Sequence, residues 1–143
     1  MIEFDFLDIQ IPDFNSEFFV SAISDLILSE NKITGDVAIL FCNDAHMLAM
    51  NSKHLNHDYY TDILTFDYSI ENTIAGDLLI SWDTIQSNAK EFNTEPNTEL
   101  KRVVFHGILH LCGYNDKTNE EIKIMRQKEL EYLNKYVSRE TEL

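Results

Sequence analysis

Two histidines four residues apart, His106 and His110, are followed by a glycine three residues later and an aspartate three beyond that, Gly113 and Asp116. These residue types at this spacing could hold a metal ion. On an α-helix, residues four apart differ by about 40° around the axis, so both imidazoles project from one face. Gly113 suits the left-handed position just past a helix end, where a Cβ would be penalised, and a turn there brings the chain back over the helix. Asp116 would then supply a third ligand, leaving a fourth position open to water, the arrangement of a catalytic rather than a structural ion. The competing reading is an apolar core helix that happens to carry histidines, but that reading requires neither the glycine nor the carboxylate at these steps.

The spacing H-x-x-x-H-x-x-G-x-x-D resembles the zinc site of metzincin proteases, H-E-x-x-H-x-x-G-x-x-H. The resemblance breaks at the residue after the first histidine. Those enzymes place a glutamate there as general base, and this chain has Gly107, which cannot transfer a proton. A conventional peptidase is therefore disfavoured.

The elements that must position these residues follow from periodicity. Ile2, Phe4 and Phe6 alternate with Glu3 and Asp5 as in a half-buried strand, and residues 16 to 30 run at helical spacing through Phe19, Ile23 and Leu26. Gly35 precedes the run DVAILFC (36 to 42), read as a buried strand, and Asn43 or Asp44 is positioned to cap a following helix. DILTFDY (62 to 68) and DLLISW (77 to 82) read as two strands of a hairpin-type pair, joined by a polar connection ending at Gly76. From Asp83 onward the pattern is helical, over roughly 83 to 92, 96 to 112 and 119 to 137. The last helix opens on a capping box, Thr118 and Glu121. The expected fold class is α/β (α+β): one domain over 1 to 143, with a small mixed sheet of about four strands, surrounding helices, and the metal-binding helix near the C-terminus.

Composition sets the context. At 143 residues and 44% hydrophobic content the chain can bury a single core without staples. Neither a basic, apolar leader nor a membrane-length apolar run is read in the sequence, so a soluble, cytoplasmic protein is expected. Cys42 and Cys112 fall in apolar segments and read as buried, reduced thiols. The formal charge of -14 opposes a polyanionic partner. Its distribution is uneven, however: residues 1 to 100 hold 3 of the 11 basic and 18 of the 25 acidic side chains.

With these residues in view, the sequence resembles the YbeY family of bacterial metallo-endoribonucleases, whose signature reads approximately H-G-x-L-H-L-x-G-Y-D-H. HGILHLCGYND matches it at His106, Gly107, Leu109, His110, Leu111, Gly113 and Tyr114. TDILTF (61 to 66) and GDLLIS (76 to 81) look like the family's T-D-V-L-S-F and G-D-I-x-I-S blocks, and Asn51 stands ten residues before Thr61 as the family's L-N element does. The resemblance covers roughly residues 36 to 137. It implies single-strand-specific, metal-dependent cleavage of RNA, with roles in maturation of the small-subunit rRNA 3′ end and in ribosome quality control. It also implies one Zn²⁺ per chain held by His106, His110 and Asp116, with single-stranded rRNA and the small ribosomal subunit or ribosome-associated proteins as partners.

Two departures carry consequences. Asp116 stands where the family has a third histidine; an anionic oxygen should leave a bound water less acidic than three imidazoles would and admits Mn²⁺ or another divalent ion. Leu55 stands where the family has an arginine thought to serve substrate phosphate, so the phosphate-binding group is open, with Lys53, His54, His57, Lys101 and Arg102 as candidates. The general base is unassigned, with Asp62 and Asp77 from the two strand blocks as candidates. Because so acidic a chain should bind isolated RNA weakly, docking on the ribosome is expected to supply much of the affinity; nanomolar binding to bare single strands at physiological salt would count against this. Two alternatives stay open: a non-enzymatic, metal-containing ribosome-assembly factor, and a metallohydrolase of another class such as an atypical peptidase.

Overall fold

A computed structural model describes the backbone of residues 1–55 and 62–142, with side chains described outside 51–61 and 137–143. Four strands, β1 (Ile2–Phe6), β2 (Ile33–Cys42), β3 (Ile63–Asp67) and β4 (Thr73–Ser81), form one sheet in the order β1-β2-β4-β3. β1 pairs parallel with β2 and β2 parallel with β4, whereas β3 closes the edge antiparallel to β4. Among the described residues the helices are α1 (Ser16–Ser29), α2 (Asp44–Leu55), α3 (Trp82–Glu91), α4 (Pro96–Leu111) and α5 (Asn119–Glu142). Among the described residues, no helix is long and apolar enough to cross a membrane. The fold is the expected α+β domain with a mixed sheet.

The period of two along each strand decides which side chains meet which layer. Val37, Ile39 and Phe41 of β2, with Ile74, Leu78 and Ile80 of β4, face the main core, where they meet α1, α4 and α5 through residues such as Leu26, Val104, Phe105, Ile108 and Tyr136. The alternate residues Cys42, Leu64 and Leu79 form a smaller cluster with Met47 of α2 on the opposite face. The strand running through both clusters is thus buried on both sides at β4, consistent with its nearly continuous apolar run.

Several boundaries differ from the sequence reading. β2 begins at Ile33, before Gly35, and its register with β4 shifts between Thr34 and Val37; a Cβ on Gly35 would lie 2.8 Å from the Ile74 carbonyl oxygen. Likewise Gly76 lies inside β4 rather than ending a connection, because a side chain there would collide with the Phe66 carbonyl at 2.5 Å and with Leu111 of α4 at 2.7 Å. Trp82 belongs to α3: Ser81 ends the strand and its hydroxyl accepts the Thr84 amide at 3.2 Å, an N-cap that terminates β4 one residue earlier than hydrophobicity suggests. The last helix continues to Glu142, beyond the expected 137.

Candidate metal centre

α4 enters through Pro96 at its first turn, where a missing N–H costs nothing. It then buries Leu100, Val103, Val104, Gly107, Ile108 and Leu111, leaving His106 and His110 on the margin of the buried face, partly accessible. Gly107 is the point of closest approach to the sheet: an added Cβ would lie 2.7 Å from Ile63 Cδ1 and 2.8 Å from Leu78 Cδ1. A glutamate at this position, as in metzincins, would project into packed side chains.

Past Leu111 the chain turns as its glycine predicts. Gly113 has φ +110° and its amide donates to the His110 carbonyl, while the Tyr114 amide donates to that of Leu109. Tyr114 then ties the turn to the far side of the domain, its hydroxyl donating to Glu30 at 2.6 Å. At the other end of the turn the Thr118 hydroxyl accepts the Glu121 amide at 3.1 Å and the Glu121 carboxylate accepts the Thr118 amide at 3.0 Å, completing the capping box. Asp116 is held between these two anchors.

The result is convergence. The Nε2 atoms of His106 and His110 lie 3.2 and 3.3 Å from Asp116 Oδ2. One donor atom from each of the three residues falls within 4.8 Å of the others. A tetrahedral ion with ligands at about 2.0–2.1 Å keeps adjacent donors about 3.3 Å apart. The two histidine–aspartate separations have that size and the third pair lies within 4.8 Å, so the residues fit a divalent ion.

Behind His106 lies a set of buried charges. Glu129 of α5, 3% exposed, places Oε2 2.6 Å from His106 Nδ1 and accepts from Arg102 Nη1 through Oε1 at 3.0 Å. Arg102 in turn donates through Nε and Nη2 to both oxygens of the buried Glu99, each at 2.8 Å. Burial alone would raise the Glu129 pKa, but the hydrogen bond to His106 and the charge of Arg102 outweigh it and hold the carboxyl below the usual range. An ionised Glu129 can only accept, so His106 carries its proton on Nδ1 and presents the Nε2 lone pair to the metal position. The hydrogen bonds to Glu99, against the opposing cost of burial, push the Arg102 guanidinium above its ordinary range. Neither Glu99 nor Glu129 was singled out from sequence. The available signal was a charge on an apolar stripe: Glu129 sits in register with buried Met125, Tyr132 and Tyr136 on α5.

The other candidates separate by location. Asp62, just before β3, lies 3.8 Å from Arg102 Nη2, on the metal side of the sheet; burial raises its pKa while Arg102 and His106 pull it down. Asp77 belongs to the alternate set of β4 residues, and with Ala38, Leu40 and Leu79 it lines a hollow of about 560 Å³ on the opposite face, so the sheet separates it from the histidines. That larger hollow does not mark the chemistry, because the convergent donors lie on the other side. Lys101 is buried, its ammonium 5.0 Å above the Phe18 ring, and is not presented at the site. Arg102 is present but committed to carboxylates. The side chains of Lys53, His54, Leu55 and His57 lie outside the described residues. Cys42 is buried and Cys112 partly so; burial pushes their thiols up to about 11 and about 12.

Comparison with known proteins places this geometry. The family model described as Endoribonuclease YbeY matches residues 2–137. A relative from Parabacteroides distasonis named Endoribonuclease YbeY is 48% identical over 122 residues, 85% of this chain and 86% of its own. One of the same name from Christiangramia forsetii is 50% identical over 109 residues, 76% of each chain. The solution structure of TM1509 from Thermotoga maritima superposes with a TM-score of 0.70 at 25% identity, covering 99% of this chain and 93% of that one. With the motif-bearing helix, the turn and the sheet all inside the matched span, the chain belongs to the YbeY endoribonuclease family.

Proposed function

We propose that this chain is a metal-dependent endoribonuclease that hydrolyses single-stranded RNA, acting in the cytoplasm on the small-subunit rRNA 3′ end and in ribosome quality control. The observation that carries the reading is the convergence of His106, His110 and Asp116 at ligand spacing, in a chain whose relatives are named endoribonucleases. These three residues would hold the ion, Zn²⁺ first and Mn²⁺ as the alternative that a carboxylate ligand admits. When bound, a divalent ion supplies Lewis acidity toward a phosphoryl oxygen and acidifies water at neutral pH. Glu129 keeps the His106 proton on Nδ1, and Arg102 keeps Glu129 ionised. Asp62 is the carboxylate of the two sequence candidates that shares the metal side of the sheet, and burial shifts its pKa upward, the direction that makes a carboxylate a better proton acceptor.

A second reading, a metal-containing assembly factor without catalysis, is supported by the charge around the site, where, among the described residues, Asp62, Glu99 and Glu129 surround Arg102 and commit it, and Asp116 adds a further carboxylate beside the histidines. Elemental analysis and single-stranded RNA cleavage by the purified protein and its His110→Ala variant separate the two. Near-stoichiometric metal with cleavage, both lost in the variant, is the expected result. Metal without cleavage transfers the case to the assembly factor, and no metal under chelator-free preparation overturns both.

A further inference from the structure

Among the described residues, the charge count around the candidate metal centre leaves a requirement that Arg102 and Lys101 do not meet. Among the described residues four carboxylates, Asp62, Glu99, Asp116 and Glu129, stand against one committed guanidinium, Arg102, and two histidines that as metal ligands would present uncharged imidazoles. A divalent ion would not fully offset that excess, and an RNA phosphodiester adds another negative charge. Phosphate approaching such a site, on a chain of net charge -14, needs a further cation close by. Arg102 does not provide it, because three of its N–H groups are donated to Glu99 and Glu129 and its charge is already compensated. Lys101 is buried against Phe18, and the position resembling the family's arginine is Leu55.

A hollow of about 200 Å³ opens between α4 and α5, lined by Arg102, His106, Asp116 and Glu129 and, from the outer side of α5, by Ile122 and Arg126. Ile122, Arg126 and Glu129 are spaced four and three apart, so one stripe of α5 runs from the buried carboxylate behind His106 out to an exposed guanidinium. Among the described residues no ion pair or hydrogen bond holds the Arg126 side chain. Its charge and its planar fork of donors, which matches two phosphate oxygens, are uncommitted at the mouth of the hollow that contains two of the three metal ligands.

We propose that Arg126 is the phosphate-binding residue of this site: it receives a phosphate of the RNA strand beside the scissile bond, from α5, in a chain that has Leu55 at the position of the family's arginine. The proposal rests on the endoribonuclease reading above. Arg126 is here a substrate-positioning residue, and its contribution is to binding more than to the chemical step.

The test uses the full-length, metal-loaded protein and a labelled single-stranded oligoribonucleotide, comparing wild type, Arg126→Ala, Arg126→Lys and, as a control for net charge on the same helix, Lys123→Ala. Arg126→Ala should raise KM about tenfold with kcat within about threefold, as loss of one charge-assisted phosphate contact implies. The slope of log(kcat/KM) against log salt should flatten by about 0.7, the value for one phosphate contact on a single strand. Arg126→Lys should recover part of both, while Lys123→Ala should shift KM by less than about twofold. Fluorescence anisotropy with the same RNA in chelator, where cleavage stops, should show the same order of affinities, and metal content should match wild type in all variants. An Arg126→Ala protein with wild-type KM and salt slope overturns the assignment, as does a Lys123→Ala protein equally impaired. Wild type that cleaves no RNA defeats the endoribonuclease reading itself, whereas cleavage by wild type with no Arg126 effect defeats this inference alone.

Discussion

Replacing Glu129 with glutamine keeps the side-chain shape but removes the negative charge and, with it, the ability to accept two hydrogen bonds from opposite sides. Both carboxylate oxygens are used, Oε2 by His106 Nδ1 at 2.6 Å and Oε1 by Arg102 Nη1 at 3.0 Å, on a side chain only 3% exposed. An amide has a single acceptor oxygen. If it serves Arg102, its NH₂ faces the His106 Nδ1–H, and the conflict is relieved when His106 moves its proton to Nε2 and accepts at Nδ1. That tautomer has no lone pair where the metal position requires one. If the oxygen serves His106 instead, Arg102 loses a charge-assisted bond and keeps Glu99. The first arrangement keeps the charge-assisted bond from the Arg102 guanidinium and should dominate, so the cost falls on metal affinity. Loss of a partner of this kind costs about 10- to 100-fold in affinity, equivalent to roughly 1.4–2.8 kcal/mol. The buried mismatch also destabilises the fold by about 1–3 kcal/mol. Chelator competition for Zn²⁺ reads the first effect, and ¹⁵N chemical shifts of the His106 ring in metal-free protein read the tautomer. A Gln variant that binds Zn²⁺ within about twofold of wild type, with the Nδ1–H tautomer retained, would show that Glu129 does not orient the ligand.

Two further predictions concern the frame around the site. Gly107→Ala places a Cβ 2.7 and 2.8 Å from Ile63 and Leu78, contacts only their side chains can relieve, so thermal denaturation should show a loss of about 1–3 kcal/mol; unchanged stability would mean that α4 can lift from the sheet freely. Glu30, at the end of α1, accepts from the Tyr114 and Tyr132 hydroxyls and from Lys128; burial pushes its pKa up, but these donors outweigh it and leave the carboxyl below its ordinary 4.5. A folded pKa below the unfolded one means stabilisation fully present above pH 4.5 and lost as pH falls through the folded value. Glu30→Gln should therefore cost roughly 1–2 kcal/mol at pH 7 and progressively less below pH 4. An equal deficit at pH 7 and at pH 3 would refute the role of the ionised carboxylate.

The convergence of the candidate triad was legible because it is local: His106, His110, Gly113 and Asp116 span eleven residues, and helical spacing plus one left-handed turn is enough to bring the three donors together. The alternation of apolar residues likewise identified the four strands and the antiparallel pair, although β2 and β4 start earlier than expected. Those strands extend through Gly35 and Gly76 because close approach to Ile74, Phe66 and Leu111 favours a missing side chain, and that approach is a property of neighbours, not of the segment. The two candidate aspartates show the same division. Asp62 and Asp77 both sit in family-like strand blocks, and strand parity alone would put them on one face, because Phe66, of the same parity as Asp62, pairs with Asp77; Asp62 precedes β3, and only its tertiary approach to Arg102 assigns it to the metal side. Glu129 is 23 residues from His106 and Arg126 is 20, so their relation to the metal centre depends on the angle at which α5 docks on α4. Sequence spacing determines what one helix and one turn can hold. Which buried charge backs a ligand, and which exposed cation stands at its mouth, is decided by packing between elements, where the energetic demand to pair a buried carboxylate selects the partner.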